Sequence, residues 1–443
     1  MLQKTGKFFK KFFSYFGKTE LRVIKSSGII FFKDYMLKTN LIKNICNTIT
    51  DNRNPLLIHF LPYELIAIMI LRILDGELRF YHQKNPINDE LYKSFIGVDR
   101  VPHFITLRYY LNRNPHTSFE LEEILSRQVY EEIEKRKLKE LTIDIDQTGR
   151  VVYGHQQGVK KGYVSGQKNK KCYQLQTVYI RELSMLFNIE INPGNEHCAK
   201  DFHLRLQTII QPLLERKIKL FIICDSGYGS EEIFNYLDKN NVDYIFARKQ
   251  AEDVKTRGKN AKSKQEYRDP STAETELIIK ERKWNSAREI FIQNKILCDE
   301  LGQYWLKEFE SNEFTNVLIT NISAEKEKVY LLYKKRANVE NVIKELKNDF
   351  GFGIAHNKTL NYNRSLATLV AIAFNLKNSF TEYLISKNAI SFKAFPTLST
   401  LRNSIIHIPG ILVNSKGKNT IRLTEKFMNK LYNIFLIFNY KLN

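Results

Sequence analysis

The run Leu220–Cys224 (LFIIC) is wholly apolar and is followed at once by Asp225, in the sequence DSGYGS. A run this short and this apolar fits a central strand buried on both faces. A carboxylate at the end of such a strand is costly unless it is paired or bound to a metal. The surrounding sequence is consistent with a sheet. From Leu141, LTIDID alternates polar and apolar residues as a strand does. RVVYGHQ and CYQLQTVYI are two further strand-like runs, and LSMLFNIEIN is a candidate for another, outside the order given next. Residues 198 to 216 read as a helix, a second helix begins after GYGS, and DYIFARK is another strand. The order β-β-β-α-β-α-β predicts an α/β fold, a mixed sheet with flanking helices.

That order is the one an RNase H-like core has, with residues 139–249 as its first part. The stretch from Gln250 to Ser271 is basic and polar, and ELIIKERKW and REIFIQNKI after it are strand-like. Residues 250–312 therefore read as a strand-rich insertion that splits the core. The core resumes over 313–385 with NVLITN as a strand, one long helix from Ala324 to Phe350, and an apolar helix from Ser365 to Phe380. Residues 1–138 have apolar residues at helical spacing, punctuated by Pro55, Pro62, Pro86, Pro102 and Pro115, and read as a helical N-terminal domain. A basic tail, 386–443, contains NSKGKNTIRL and ends in an amphipathic helix.

The formal net charge is +21 and 43% of residues are hydrophobic. The apolar content excludes global disorder. The charge points to a polyanionic partner, nucleic acid first. Five cysteines, Cys46, Cys172, Cys198, Cys224 and Cys298, form no CxxC pair. That suits a reducing cytoplasm and argues against a zinc site, and His155, His197 and His203 suggest none. The N-terminus mixes Phe with Lys too evenly for a signal peptide. The longest apolar stretch, Leu61 to Leu74, is too short for a bilayer, carries Glu64 and Arg72, and predicts a buried helix.

Three acids stand out. Asp146 follows a strand in DIDQT, Asp225 ends the apolar strand, and Glu340 sits in the helix YKKRANVENVIKELK. Two strand-end carboxylates and one from a helix can hold two Mg²⁺ ions, which take oxygen ligands and keep several waters. Tyr333, Arg336, Glu340 and Lys347 fall at offsets that share a stripe about 60° wide on an ideal helix. A carboxylate, two cations and a phenol then point together, while Leu332, Val339, Val342, Ile343 and Leu346 face a core. The plain alternative is a solvated charged face. Asp144 competes with Asp146 for the first position.

The spacing Y-x2-R-x3-E-x6-K, the DxT at Asp146, DSGYGS, the PGN at Pro193 to Asn195, and VENVIKELKNDFG before an apolar helix ending in FNL together resemble DDE transposases of bacterial insertion sequences. The branch is that of the Tyr-Arg-Glu-Lys signature, and the insertion-sequence thirteen-eighty family is the group most similar. The resemblance runs from about Leu141 to Leu423, most of the insertion excepted. It implies DNA strand cleavage and strand transfer at insertion-sequence ends, with Asp146, Asp225 and Glu340 as catalytic metal ligands, since the family's DxT falls on Asp146. It implies two Mg²⁺ ions, with Mn²⁺ able to substitute. It makes Tyr333, Arg336 and Lys347 DNA-handling residues, and gives residues 1–138 a DNA-binding or dimerisation role. The implied partners are double-stranded DNA, namely terminal inverted repeats and target, bound by a homodimer in the cytoplasm and not at a membrane. In related transposases with such insertions an aromatic can stack on a displaced base, which marks Trp284; a buried Trp of a small β core is the other reading. Lys160, Lys161, Lys168, Lys170 and Lys171 lie in what reads as a Gly-containing loop, either a contact for a DNA backbone or simply a mobile solvated loop. Two alternatives remain. One is a phosphatase of the haloacid dehalogenase type, with Asp144 as nucleophile and Asp146 as acid/base. The other is a catalytically inactive DNA-binding relic.

Overall fold

Helical runs broken by proline build the first part of the chain. The computed structural model describes residues 22–77, 91–93, 100–114, 116–164, 166–249, 251–261, 263–268, 276–296, 309–310, 316–352, 357–415 and 418–440. After a short strand, β1 (Arg22–Ile24), come α1 (Ile29–Lys38), α2 (Leu41–Thr48), α3 (Pro62–Asp75), α4 (Phe104–Arg113) and α5 (Thr117–Arg136). α3 shows how the sequence sets its ends. Pro62 opens it, where no N–H is needed. The Glu64 carboxylate accepts from the Leu61 amide at 2.7 Å, and Gly76 closes the helix at φ 95°. Every residue from Leu65 to Asp75 is buried, so this apolar stretch is an interior helix. Among the described residues no helix is long and apolar enough to cross a membrane.

The sheet follows. β2 (Glu140–Val151), β3 (Lys160–Val164), β4 (Gln167–Ile180) and β5 (Met185–Pro193) pair antiparallel, with β2 on one edge of β4 and with β5 and β3 on the other. After α6 (Phe202–Glu215), β6 (Lys219–Cys224) runs parallel to β2; after α7 (Glu231–Lys239), β7 (Asp243–Ala247) runs parallel to β6. Then come α8 (Glu252–Lys259), β8 (Ser263–Arg268), β9 (Glu276–Trp284), β10 (Ala287–Ile296), β11 (Phe309–Glu310) and β12 (Asn316–Thr320). β12 lies antiparallel between β7 and β10. The strands β8, β9 and β10 thus continue the same sheet, eleven strands among the described residues. α9 (Lys326–Lys334), α10 (Ala337–Asn348) and the 27-residue α11 (Leu360–Ser386) follow. β13 (Gly410–Ser415) pairs with both β1 and β14 (Lys418–Arg422), and α12 (Glu425–Ile437) comes last.

The two-residue period of β2 sorts its side chains. Ile143 and Ile145 join a core with Val129 and Ile133 of α5, Leu206 and Ile210 of α6 and Leu237 of α7. A buried side chain of this size contributes about 1.5–3 kcal/mol. The even positions, Asp144, Asp146 and Thr148, turn to the opposite face, where Arg181 from the β4–β5 turn partners Asp144 and the chain around α9 and α10 supplies partners for Asp146 and Thr148.

Four features differ from the sequence expectation. The first strand does not stop before Asp146. It runs on to Val151 because β4 holds it in register from Ile143 to Val151, absorbing part of RVVYGHQ. The lysine-bearing segment is the β3–β4 hairpin and not a loop. The helix expected from Ala324 to Phe350 is two helices, broken at Lys335–Arg336. There the hydrogen bonds tighten to i→i−3, Arg336 N to Tyr333 O at 2.8 Å and Val339 N to Arg336 O at 2.9 Å. Finally, α8 is helical within a segment read as strands and coil.

Candidate active site

Register brings the first two acids side by side. Ile145 of β2 stands opposite Cys224 of the parallel β6, so Asp146, next in β2, and Asp225, just past the end of β6, follow from adjacent strands about 4.8 Å apart. Asp146 sits in mid-strand, which corrects the expected strand-end position. Its carboxylate is buried, with a side chain 10% exposed, whereas that of Asp225 is 49% exposed. Glu340 enters from the first turn of α10, where the helix N-terminus favours a negative charge, and is 63% exposed.

One guanidinium joins them. Arg336 Nη2 is 2.7 Å from Asp146 Oδ1 and 3.8 Å from Asp225 Oδ2, and its Nη1 is 3.3 Å from Glu340 Oε1. The break between α9 and α10 falls at Arg336 itself. Burial pushes the Asp146 carboxyl above the usual range; Arg336 opposes this and Asp225 adds to it. Burial works against the Arg336 charge, but Asp146, Tyr333 and Asp225 outweigh it and hold the guanidinium above its ordinary value. Among the described residues no set of three or more His, Cys, Asp or Glu is arranged to hold a metal ion as it stands; the cation between the acids is Arg336. The donors are all carboxylate oxygens, which fit Mg²⁺ or Mn²⁺ chemically.

The other expected residues divide. Lys347 Nζ donates to Thr148 Oγ1 at 2.6 Å, and Gly149 O lies 3.4 Å away. Burial lowers the Lys347 ammonium, with Asp146 opposing and Arg150 adding to the shift. Tyr333 is buried among Ile223, Ile245 and Val329, and burial first, then Asp225 and Asp146 against Arg336, pushes its phenol up to about 12. Trp284 is half-buried at the end of β9, edge-on to Phe234 at 5.7 Å with the Arg248 guanidinium 5.1 Å over its ring. Among the described residues the ring contacts of Trp284 are with Phe234 and Arg248, and none joins it to the three acids. Asp144 is fully buried, and Arg181 holds both its oxygens, Nη2 to Oδ1 at 2.7 Å.

The chain matches the family model of the transposase DDE domain, group 1, over residues 22–436. It belongs to the DDE transposase family. It is therefore an enzyme of the polynucleotidyl transferase and endonuclease kind. Among solved structures, a piggyBac transposase synaptic complex with hairpin DNA is 11% identical, with a TM-score of 0.41 over 85% of this chain and 78% of that one. A pre-cleavage Mos1 transpososome and a Mos1 paired-end complex with the left transposon end are each 12% identical, with a TM-score of 0.17 over 44% of this chain and 61% of theirs. No curated protein matches.

The DSGYGS loop of this transposase is built residue by residue. Asp225 Oδ1 accepts from Ser226 N at 2.6 Å. A side chain on Gly227 would meet Cys198 Sγ at 2.3 Å. Tyr228 is buried on Phe202, ring centroids 4.5 Å apart, and Ser230 Oγ caps α7. In PGN, a Cβ on Gly194 would strike Lys160 O at 2.3 Å. Sequence reasoning missed two residues, Arg181 and Arg150. The signal for Arg181 was in DID: alternation puts both acids on one face, so each needs its own cation. Arg150 continues that row. It is buried, its Nε and Nη2 have no hydrogen-bond partner among the described residues, and burial, with Tyr173 opposing, lowers its guanidinium to about 10.

Proposed function

We propose that this transposase cuts and rejoins DNA at the ends of a bacterial insertion sequence of the thirteen-eighty kind, with Asp146, Asp225 and Glu340 as its catalytic acids. The single observation that carries this is the convergence of those carboxylates, from two adjacent strands and one helix, within 3.8 Å of one guanidinium. The antiparallel β5-β4-β2 followed by parallel β6 and β7 supports an RNase H-like core. On that reading 139–249 and 313–385 form the core, 250–312 the insertion, 1–138 the helical DNA-binding or dimerisation domain and 386–443 the tail.

The three acids would hold two Mg²⁺ ions, for which Mn²⁺ substitutes; when bound, these activate a water and stabilise the charge that builds on phosphate oxygens. Arg336 must yield the carboxylates when the site is loaded, and its guanidinium then serves a phosphate near the cut. Lys347, held on Thr148, adds a second positive charge along the same strand, and Tyr333 backs the site from α9. Trp284 belongs to the DNA-handling set only if its contacts with Phe234 and Arg248 open. The partners are terminal inverted repeats and target duplex, handled by a homodimer in the cytoplasm. The phosphatase alternative requires a free Asp144 nucleophile, but that carboxylate is committed to Arg181.

The test is a strand-cleavage assay on the element's own ends. Glu340→Gln keeps shape and loses the charge. It is expected to bind end DNA yet neither nick nor join it at any Mg²⁺ level that supports the wild type. Full cleavage by Glu340→Gln removes the third acid from the site. A wild type that never nicks is a relic, and rapid turnover of a small phosphomonoester overturns the strand-cleavage reading.

A further inference from the structure

The β3–β4 hairpin carries a charge arrangement that works against its own fold. Lys161 and Lys171 are direct cross-strand partners, a geometry with Cβ atoms about 5 Å apart in which like charges destabilise. Lys160 and Lys170 flank them, and all four are exposed. None of the four makes an ion pair among the described residues. Tyr163, 60% exposed, lies on the same hairpin, and Tyr153, 90% exposed, lies in the turn leading to it. Folding does not call for these lysines. The hairpin is held from beneath, where Gln174 Nε2 donates to Tyr163 O at 2.9 Å and to Gly194 O at 3.3 Å.

The hairpin also adjoins the acids. Gly149 lies three residues along β2 from Asp146, about 10 Å at the rise of a strand. A Cβ there would meet Val164 Cγ2 of the hairpin at 2.7 Å. Lys347, on Thr148 and near Gly149 O, spans the interval. One DNA strand presents a phosphate about every 3.4 Å of helix axis, so roughly three phosphates cover the distance from Asp146 to the hairpin base.

We propose that the β3–β4 hairpin is a backbone clamp for duplex DNA, in which phosphates beside the cut settle between Lys161 and Lys171 and relieve their repulsion. The two phenols supply further donors to phosphate oxygens. Such contacts hold and orient DNA without reading its sequence. The inference rests on the DNA partner proposed above.

The experiment compares full-length wild type with two doubles of equal charge change, Lys161→Ala with Lys171→Ala, and Lys387→Ala with Lys393→Ala, the latter pair exposed and outside the hairpin. Binding to a random-sequence duplex is followed between about 50 and 200 mM salt. The hairpin double is expected to lower the slope of log K against log salt by about 2 and to melt no lower than wild type, while the control double keeps the wild-type slope. Equal slopes in all three proteins, or a lower melting temperature for the hairpin double, overturn the clamp. If the wild type binds no duplex even at low salt, the DNA reading fails with it; steep wild-type binding that ignores the hairpin sinks the clamp alone.

Discussion

Arg336 Nη2 lies 2.7 Å from Asp146 Oδ1, so the carboxylate that the DxT motif marks is already neutralised by the chain itself. The guanidinium and a divalent ion want the same oxygens. Arg336→Ala is therefore expected to bind Mn²⁺ several-fold more tightly than wild type in the absence of DNA, and to cleave more slowly. Lys347→Ala, whose ammonium rests on Thr148, is expected to leave Mn²⁺ affinity unchanged. Calorimetric titration of the two variants decides; equal affinities in wild type and Arg336→Ala would show that the arginine does not contest the site.

Asp144 and Asp146 are expected to fail in different ways. Asp144 has no exposed surface and is paired through both oxygens to Arg181. Its removal leaves a cation without its partner, and breaking a buried pair costs about 3–5 kcal/mol. Asp144→Ala should lose stability in denaturant titration. Asp146→Asn should bind DNA and fail to nick it. An Asp144→Ala protein as stable as wild type would contradict the pairing.

Glu122 of α5 gives stability a pH dependence. Burial first, then Glu190, pushes its carboxyl up to about 7, with Arg364 opposing. The folded state thus holds the proton more tightly than the unfolded chain, whose carboxyl titrates near 4.3. The stabilisation is complete below that value and is lost as pH rises through about 7. Glu122→Gln should match wild type near pH 4 and melt above it at pH 8. A difference that shrinks with rising pH would reverse the sign.

Glu289 of β10 is fully buried between Arg248, 2.8 Å away, and Arg257, 3.2 Å away. It ties α8 and the end of β7 to the added strands. Glu289→Ala should cost about 3 kcal/mol, since it breaks the buried pair with Arg248, while Arg257 keeps Asp253 at 2.6 Å. Protease sensitivity within 250–312 should rise in step.

Much of this architecture was legible in the sequence because apolar periodicity reports burial directly. LFIIC is β6, and the acid after it stands where strand order demands. DIDQT was harder. Its polar residues suggested a strand end, yet the strand continues, with partners from elsewhere in the chain for the first three polar side chains on that face: Arg181, Arg336 and Lys347 for Asp144, Asp146 and Thr148. Pairing across 37 to 199 residues leaves no local trace. The break before α10 was hidden for a similar reason. Lys335 and Arg336 are good helix formers, and nothing in their composition announces a tightened turn. The glycines Gly149 and Gly194 were visible as letters, but only the approach of Val164 and Lys160 explains them.

The position of β2 and β6 within the sheet has a consequence for how the molecule opens. Each has a hydrogen-bonded neighbour on both sides, β4 and β6 for one, β2 and β7 for the other, whereas β8 and β3 lie at the rims. Local fluctuations unzip rims first, and central amides exchange with solvent only when the whole unit comes apart. The backbone beneath Asp146 should therefore be among the slowest to take up deuterium and that of the lysine hairpin among the fastest. The part that must grip a moving substrate would then be free to breathe while the floor under the chemistry stays still.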